Sequence, residues 1–238
     1  MQKILITNDD GITANGLIRL CTAARKFGEV WVVAPGSQRS ACSHSITIRE
    51  PIDVYPFDIN IEGIHAFKST GTPADCVRVG CLNIMPGKPD IVLCGINDGY
   101  NCGCDLQYSA TVGAALEASF QGIHAIALSE DFGEGHLVTD ANLLPILEEL
   151  INMPLSYGEI WNVNFPNCSL SDFNGIKRNC SVSHSSFFTD SYEVKEKLEN
   201  NGIRLMVDGL YQEIKENGTD HGAVNNNYIS IGKVRNLS

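Results

Sequence analysis

The sequence predicts a doubly wound α/β fold, in which helices cover both faces of a mostly parallel sheet. Short apolar runs alternate with helix-like stretches along the first two-thirds of the chain. These runs are continuous Ile, Val and Leu rather than alternating polar and apolar residues, and strands of that kind are buried on both faces. A chain of 238 residues is also long enough to bury a full core.

The elements follow one another in the order strand, helix, strand that a doubly wound sheet requires. The predicted strands are KILIT (3–7), VWVVAP (30–35), PDIVLCG (89–95), HAIALSE (124–130) and IWNVNFP (160–166). The predicted helices are NGLIRLCTAARKFG (15–28), PADCVRVGCLNIM (73–85), TVGAALEASFQG (111–122) and NLLPILEELI (142–151).

The composition excludes several classes of protein. With 43% hydrophobic and 19% charged residues, and with no tandem repeat or low-complexity tract, the chain is neither disordered nor fibrous. The formal charge of −11 argues against nucleic-acid polymers and anionic membranes as partners, because Lys and Arg are few and scattered. Small anions can still bind at a local site.

The cysteines and the first residues indicate a cytoplasmic protein. The nine cysteines are odd in number and scattered, which is typical of reduced thiols and not of a secreted disulfide framework. Cys102 and Cys104 form a C-x-C pair without a second pair, so we interpret them as loop thiols rather than zinc ligands. The apolar run after Met1 is too short for a signal peptide, and no run reaches the length of a membrane span, about 18 residues.

Polar loops follow three of the predicted strands. In open α/β sheets, ligands bind beyond the carboxyl ends of the strands, so these loops are the place to look for a site. An ordinary set of turn residues is the alternative for any one of them. The loops are NDDG (8–11), APGSQRS (34–40) and CGINDGYNCGCD (94–105).

Asp9 and Asp10 place two carboxylates side by side at the end of a buried strand. Two carboxylates about 5 Å apart repel by about 3 kcal/mol at an effective dielectric near 20, so the fold must separate them, protonate one or bind a cation. A hard divalent ion is the simplest answer, and Ser40 and Asn97 offer further oxygen ligands nearby. The alternative is a solvated helix N-cap formed by Asp10 or Thr13.

The segment YSATVGAALEAS (108–119) adds a candidate anion site. Ser109 and Thr111 precede a helix whose first turn contains the small residues Gly113, Ala114 and Ala115. The backbone amides of such a turn can approach a phosphate closely. A small-residue helix that packs tightly on the sheet is the alternative, and both can hold together.

These residues carry a resemblance to the SurE family, the stationary-phase survival proteins, which are metal-dependent nucleoside-monophosphate phosphatases. The similarity covers residues 1–130 continuously and returns in shorter pieces to about residue 232. It rests on six ordered blocks: ILITNDDG, VVAPGSQRS, GTPADCVRVG, PDIVLCGINDGYNCGCDLQYSATVGAALEAS, WNVNFP and TDHGAVNNNYISI.

The resemblance implies roles for named residues. One divalent ion per subunit, Mg²⁺, Mn²⁺ or Ca²⁺, would be held by Asp9, Asp10, Ser40 and Asn97. The phosphate site would be lined by Asn8, Asn101, Ser109, Ala110 and Thr111. Asp9 and Asp10 would also be the catalytic residues, acting on a nucleoside 5′-monophosphate, with 3′-monophosphates as a further substrate class.

The resemblance also implies the architecture and the assembly. We expect one SurE-like α/β domain over residues 1–238, with a Rossmann-like core over about 1–165. An extended C-terminal segment, 166–238, would take part in oligomerisation, giving a homodimer or a homotetramer.

The chain departs from the family pattern at two places. The family commonly reads Tyr-Ser-Gly-Thr where this chain has YSAT, so Ala110 would cost about 1 kcal/mol if its backbone needed a positive φ. Residues 177–215 resemble the corresponding family segment only faintly, so nucleotide preference and subunit contacts transfer least.

The predicted mechanism is metal-assisted hydrolysis. The ion would polarise a phosphoryl oxygen and lower the pKa of a coordinated water, which attacks phosphorus in line. The helix end at Thr111 and the amide of Asn101 would stabilise the developing charge. Asp9 is a candidate acid or base only if the ion does not occupy it fully. His44, close in sequence to Ser40, is a further candidate, although a single loop histidine is more often incidental.

Two other function classes remain as alternatives. A phosphoaspartyl phosphatase of the haloacid dehalogenase type also begins with an apolar strand followed by acids, but it needs Asp-x-Asp so that both side chains point the same way. A non-catalytic nucleotide-binding module is the second, but GxGxxG is absent after the first strand and paired acids repel phosphate.

Overall fold

The computed structural model describes residues 2–212 and 216–236, and its centre is a nine-stranded sheet. The strand order is β3-β4-β2-β1-β5-β6-β7-β13-β8. The strands of this sheet are β1 (Gln2–Thr7), β2 (Gly28–Pro35), β3 (Val54–Phe57), β4 (Ile64–Ser69), β5 (Ile91–Asp98), β6 (His124–Glu130), β7 (Glu159–Phe165), β8 (Gly175–Arg178) and β13 (Tyr228–Arg235).

The sheet is mostly parallel, as the continuous apolar runs predicted. Along the sheet, the neighbours in the series β4-β2-β1-β5-β6-β7 all pair in parallel, and so do β13 and β8. Only β3 with β4 and β13 with β7 pair antiparallel within this sheet of the described chain. The short edge strand β3 contains Pro56, which an edge strand tolerates because one side of it needs no ladder bonds.

Helices cover both faces of the sheet, which confirms the doubly wound prediction. The α-helices are α1 (Asn15–Ala24), α2 (Pro73–Val79), α3 (Ala110–Phe120), α4 (Leu137–Leu150) and α5 (Asp220–Val224). The core against α1 and α4 includes Leu17, Leu20 and Leu147. The core on the other face includes Val77, Val112 and Leu116 from α2 and α3.

The C-terminal part of the chain contributes to the main sheet and also forms two small sheets. β9 (Phe188–Thr189) pairs with β12 (Leu210–Tyr211), and β10 (Tyr192–Lys197) pairs with β11 (Ile203–Val207). The division of the chain at about residue 165 stays a prediction.

The described residues also bear on the membrane and cysteine predictions. None of the helices within residues 2–212 and 216–236 is long and apolar enough to cross a membrane. All nine cysteines lie within these ranges, and each is a free thiol.

The strand order places a crevice beside β1. Strand β1 lies between β2 and β5, so the chain winds in one direction from β1 to β4 and in the other from β5 to β7. Loops that leave the carboxyl ends of two such strands diverge to opposite faces, and ligands bind in the gap between them. Asp9 and Asp10 follow β1, and Asn97 lies near the end of β5.

Candidate active site

The turn after β1 is held rigidly in place. The side-chain amide of Asn8 donates to the carbonyl of Gly11 at 2.9 Å. The Asp9 carbonyl accepts a hydrogen bond from the backbone amide of Arg39 at 2.7 Å. The first bond closes the turn, and the second joins the first polar loop to the second.

Asp9 is a buried acid with an uncompensated charge. Its side chain accepts a hydrogen bond from the Thr111 hydroxyl at the start of α3. Burial raises the pKa of Asp9 to about 6. The hydrogen bond from Thr111 acts to lower this pKa, and the charge of Asp10 acts to raise it. A carboxylate in this environment is stabilised by any cation that binds beside it.

Asp10 lies closer to the surface and faces other acids. Its carboxylate accepts a hydrogen bond from the backbone amide of Asp98 at 3.1 Å. Partial burial raises the pKa of Asp10, and so do the charges of Asp98 and Glu130, while the bond from the Asp98 amide lowers it. Glu130 is balanced by Arg19 at 2.6 Å, and no such bond reaches Asp10 from the described residues.

The loop that carries Ser40 is anchored against α3. The Ser43 amide donates to the Tyr108 carbonyl at 3.0 Å, and the Ser43 hydroxyl donates to the Gln107 carbonyl at 2.6 Å. The loop fits because residue 113 is glycine: a Cβ there would lie 2.7 Å from the Ser43 carbonyl oxygen. Ser40 itself is exposed at the edge of the crevice.

His44 helps to anchor this same loop. Its Nε2 atom lies 2.9 Å from a carboxylate oxygen of Glu117, and its ring stacks on Phe120 with centroids 5.4 Å apart. The hydrogen bond with His44 lowers the pKa of Glu117, against the effect of burial. His44 therefore supports the loop from behind, and it does not line the cavity that Asp9 lines.

The end of β5 is irregular where it presents Asn97. The pairing of β5 with β6 shifts register between Cys94 and Asn97, as in a β-bulge. The side-chain nitrogen of Asn97 donates to the Gly99 carbonyl at 2.7 Å. This bond orients the side chain so that its oxygen is the atom that could bind a cation.

Asn101 is held by a buried polar network that sequence reasoning missed. Its backbone amide donates to Asn164 at 2.8 Å, and its side-chain amide donates to Ser129 at 2.8 Å. The side chains of Asn162 and Asn164 both donate to the Asn101 carbonyl, at 2.9 and 3.1 Å. The alternation in WNVNFP places both asparagines on one face of β7, and this signal could have found them.

Helix α3 begins one residue earlier than predicted. Ser109 is its N-cap, and the Ser109 hydroxyl accepts a hydrogen bond from the Val112 amide at 3.1 Å. The backbone amides of Ala110 and Thr111 precede the Val112 amide in the first turn. The first amides of a helix have no acceptor within the helix, so these two can donate to a bound anion. Ala110 lies in the helix and is not among the residues with a positive φ. The strain that we considered for Ala110 is therefore absent.

The structure brings most of the predicted residues to one cavity of about 450 Å³. Those that line it are Asp9, Ser40, Asn97, Asn101 and Ser109. Asn8, Ala110 and Thr111 are fully buried behind this surface. Asp10 borders an adjacent cavity of about 480 Å³, which it shares with Asp98 and Glu130. Whether these residues act as ligands stays a prediction.

The alternative interpretation of the acidic pair as a helix cap is wrong. The N-cap of α1 is Ala14, and no side chain forms a capping hydrogen bond there. The two acids therefore have no capping function for this helix.

The donor set fits a hard divalent cation. Among the described residues, those that line the 450 Å³ cavity include no Lys, Arg or His, so no side-chain cation balances Asp9 there. The nearby guanidinium of Arg39 donates to the Thr70 carbonyl instead. No group of three or more His, Cys, Asp or Glu side chains in residues 2–212 and 216–236 is arranged to hold a metal ion. A cation would thus be held by two carboxylates and neutral oxygens, which Mg²⁺, Mn²⁺ and Ca²⁺ accept.

Comparisons with known proteins find similarity to one family over most of the chain. Residues 4–189 match the family model described as "Survival protein SurE". The chain is 38% identical over 237 residues to the 5′-nucleotidase SurE of Clostridium botulinum strain 657, covering 97% of this chain and 91% of that protein. It is 38% identical over 240 residues to the 5′-nucleotidase SurE of Mesorhizobium japonicum, covering 97% and 92%. The crystal structure of the SurE protein from Aquifex aeolicus has a TM-score of 0.81 at 31% identity, covering 99% of this chain and 94% of that one.

Proposed function

Because the chain belongs to the SurE family, we propose that it is a 5′-nucleotidase, a metal-dependent phosphomonoesterase that hydrolyses nucleoside 5′-monophosphates to nucleoside and phosphate. The observation that carries the proposal is the buried Asp9 carboxylate, which faces a cavity without a cationic side chain among the described residues. Ligand cavities measure about 300–1,000 Å³, so a volume of about 450 Å³ accepts a mononucleotide.

The proposed cofactor is one divalent ion per subunit, Mg²⁺, Mn²⁺ or Ca²⁺. Asp9, Asp10, Ser40 and Asn97 are the residues that would hold it. When bound, such an ion polarises a phosphoryl oxygen and acidifies a water molecule. The Thr111 hydroxyl keeps the Asp9 carboxylate oriented toward the crevice. Asp9 and Asp10 are thereby the proposed catalytic residues.

The phosphate is proposed to bind at the start of α3. The amides of Ala110 and Thr111 and the positive end of the helix dipole favour an anion there. Ser109 and Asn101 border the same cavity, and Asn8 supports the turn behind it. Because the backbone amide of Asn101 donates to Asn164 and its side-chain amide donates one hydrogen to Ser129, the remaining donor for phosphate is the second N–H of that side-chain amide.

The two alternatives have no support from the comparisons. The relatives from Clostridium botulinum and Mesorhizobium japonicum are both named 5′-nucleotidase SurE. A phosphorylated Asp9 would be the covalent intermediate of the first alternative, and tight nucleotide binding without turnover would indicate the second.

Phosphate release from nucleoside monophosphates tests the proposal. We expect release from AMP, GMP, CMP and UMP with Mg²⁺ or Mn²⁺, and a loss of at least about a hundredfold in chelator, since the ion contributes several kcal/mol to transition-state stabilisation. Returning the ion after chelation should restore the rate. Equal rates with and without chelator would contradict the metal mechanism.

The compartment and the partners are also proposals. The nine free thiols support a reducing, cytoplasmic environment. The charge of −11 supports a small-molecule substrate rather than a nucleic-acid polymer or a membrane surface.

A homodimer or homotetramer is supported by the hairpin of β10 and β11, which exposes apolar residues. Val194 and Leu205 face each other across this pair and are 52% and 47% exposed. The two strands pair only with each other in the described structure, and an isolated hairpin is marginally stable in water. Contact with another copy of the chain would bury this surface.

Replacing that pair by opposite charges, Val194→Glu with Leu205→Lys, should keep the hairpin and convert the oligomer to a monomer. The charges preserve a favourable cross-strand pair while they remove the apolar contact. Light scattering gives the mass directly. The matched control swaps the neighbouring pair, Glu196→Arg with Arg204→Glu, and should leave the mass unchanged. An oligomer that survives the first double substitution would show that the hairpin is not the contact.

A further inference from the structure

Glu117 is a buried carboxylate to which the proposed hydrolysis assigns no role. It lies in the second half of α3 and is 6% exposed. One of its oxygens accepts from the Arg78 guanidinium at 3.1 Å and from the Gln121 side-chain amide at 3.0 Å. The other oxygen lies 2.9 Å from Nε2 of His44. A buried carboxylate with three partners is held in one position, so other segments can be anchored to it.

The segment anchored to Glu117 carries Ser40, one of the proposed cation ligands. We call residues 36–45 the Ser40 loop. The first part of this loop is tied to the turn after β1, because the Arg39 amide donates to the Asp9 carbonyl. The last part reaches α3 through His44. Ser40 lies between these two attachments, so its position depends on both.

The Ser40 loop has a backbone conformation that depends on contacts with its surroundings. Ala41 and Ser43 have φ values of 56° and 57°, in the left-handed region that residues other than glycine rarely adopt. Such residues persist only where the surrounding structure fixes them. Among the contacts of the loop, the bond between His44 and Glu117 is made to a buried charge, and hydrogen bonds to charged groups are the strong ones. We therefore expect the loop to shift when this bond is lost.

We propose that Glu117 and His44 are positioning residues for the cation, because the bond between them holds Ser40 where its oxygen can bind a divalent ion. The inference rests on the proposed function, which supplies the ion. Neither residue lines the cavity that Asp9 lines. Replacing outer residues that orient a metal ligand typically weakens metal binding by about 10- to 100-fold.

Two substitutions at residue 44 separate the hydrogen bond from the ring. His44→Phe keeps the stacking on Phe120 and removes the bond, whereas His44→Gln keeps a nitrogen that can donate to Glu117 and removes the ring. In calorimetry, His44→Phe should weaken the Kd for Mn²⁺ by about tenfold, and His44→Gln should stay within about threefold of the natural chain. At saturating Mn²⁺ both variants should keep kcat for AMP within about threefold, because the bound ion favours the native loop position. A loss of kcat that saturating Mn²⁺ does not restore would contradict the proposal.

A double substitution shows whether His44 acts through Ser40. Ser40→Ala removes a ligand oxygen and should itself weaken the Kd for Mn²⁺. Because the loop then has no ligand to position, adding His44→Phe to Ser40→Ala should weaken the Kd by no more than about twofold further. Losses that multiply, as independent contributions do, would overturn the proposal.

His65→Phe is the matched control. His65 also stacks on an aromatic ring, with its centroid 4.2 Å from that of Trp31, and it also lies near a glutamate, 3.6 Å from Glu29. It belongs to β4 and lies outside the cavity that Asp9 lines. Its replacement should leave the Kd for Mn²⁺ unchanged.

Gly113→Ala displaces the same loop without a change at residue 44. The new Cβ would lie 2.7 Å from the Ser43 carbonyl oxygen, so the loop must move away from α3. This variant should weaken the Kd for Mn²⁺ as His44→Phe does. Thermal unfolding checks that each variant is folded, and a folded Gly113→Ala with the natural Kd would contradict the proposal.

Cys42 reports the position of the loop without any cation. Its half-buried thiol lies between Ser40 and Ser43. In cation-free protein, iodoacetamide should modify Cys42 about tenfold faster in His44→Phe than in the natural chain, because alkylation follows the population of the opened loop. Peptide mass spectrometry resolves this thiol from the others, and Cys168, outside the loop, should react equally in both proteins. Equal modification of Cys42 would show that the bond does not hold the loop.

Binding and turnover together separate failure of this inference from failure of the proposed function. If no nucleotide releases phosphate but the Kd values for Mn²⁺ change as expected, the hydrolytic function fails and the positioning inference holds. If phosphate is released and His44→Phe binds Mn²⁺ as tightly as the natural chain, the positioning inference alone fails. If the natural chain binds no Mn²⁺, both fail.

Discussion

Asp9→Asn is expected to lower kcat/KM by about a thousandfold and at the same time to stabilise the cation-free protein at neutral pH. The loss of activity follows from removal of a charged metal ligand, whose contribution of several kcal/mol corresponds to this factor. The Asn side chain keeps an oxygen that accepts the Thr111 hydroxyl, so the local structure should remain.

The gain in stability follows from the raised pKa of Asp9. Folding raises this pKa from 3.8 to about 6, so the folded protein binds the proton more tightly than the unfolded chain does. The Asp9 carboxyl group therefore does not lower the free energy of unfolding below about pH 4. The loss of stability grows as the pH rises to 6 and reaches its full size above pH 6. A shift of this size corresponds to about 3 kcal/mol, and we expect Asp9→Asn to recover about 1–3 kcal/mol at pH 7.5.

Urea unfolding in chelator measures this effect. The difference in free energy of unfolding between Asp9→Asn and the natural chain should be largest at pH 7.5 and should vanish near pH 4. Asp53→Asn replaces an exposed carboxylate, and as the matched control it should leave the free energy of unfolding within about 0.5 kcal/mol of the natural chain. A variant that is less stable than the natural chain at pH 7.5, or that keeps a tenth of its activity, would refute this account of Asp9.

Asn164→Leu is expected to destabilise the protein by about 2–4 kcal/mol. Asn164 is fully buried, and its side chain bonds both the backbone amide and the carbonyl of Asn101. Without it, the buried amide of Asn101 loses its acceptor, and an unsatisfied buried group costs about 1–3 kcal/mol. For a chain of this size the unfolding temperature should fall by about 5–15 °C. Activity should fall too, because Asn101 borders the cavity.

Differential scanning calorimetry measures the shift in unfolding temperature. Asn152→Leu makes the same substitution at an exposed residue whose amide bonds one carbonyl, and it should change the temperature by no more than about 2 °C. Asn164→Asp keeps the acceptor for the Asn101 amide but buries a carboxylate against the Asn101 carbonyl, so it should destabilise the protein at least as much as Asn164→Leu does. Equal stability of Asn164→Leu and the natural chain would show that the network contributes nothing.

The central strands were predictable because burial on both faces leaves an unambiguous pattern. Strands β1, β2, β5, β6 and β7 and the helices between them lie where the apolar runs predicted. Strand β4 was missed because its run, IHAFKS, mixes apolar and polar residues, as suits a strand near the edge of the sheet. Boundaries were less certain: α3 begins at Ala110 because the Ser109 side chain caps it.

The site was predictable only as far as local sequence determines it. Asp9 and Asp10 stand out because adjacent acids after a buried strand conflict with burial. The anchors of the Ser40 loop could not be predicted, since they depend on Gly113 and Glu117, which are distant in sequence. Two aromatic residues of the cavity that Asp9 lines were missed for a similar reason: Phe188 and Tyr211 come together through a two-residue strand pair with no periodic pattern.

The proposed cation ligands come from three separate segments, two loops and the end of β5, and Asp9 is fixed by a fourth segment through Thr111. An unfolded chain holds no comparable cluster of oxygens, so the ion would bind the native state alone. Its binding would then add to the free energy of unfolding by about 2.7 kcal/mol at a cation concentration one hundred times the Kd. The melting temperature of the protein would thus report the free divalent cation in its surroundings, and chelation would expose the chain to proteolysis before any substrate is involved.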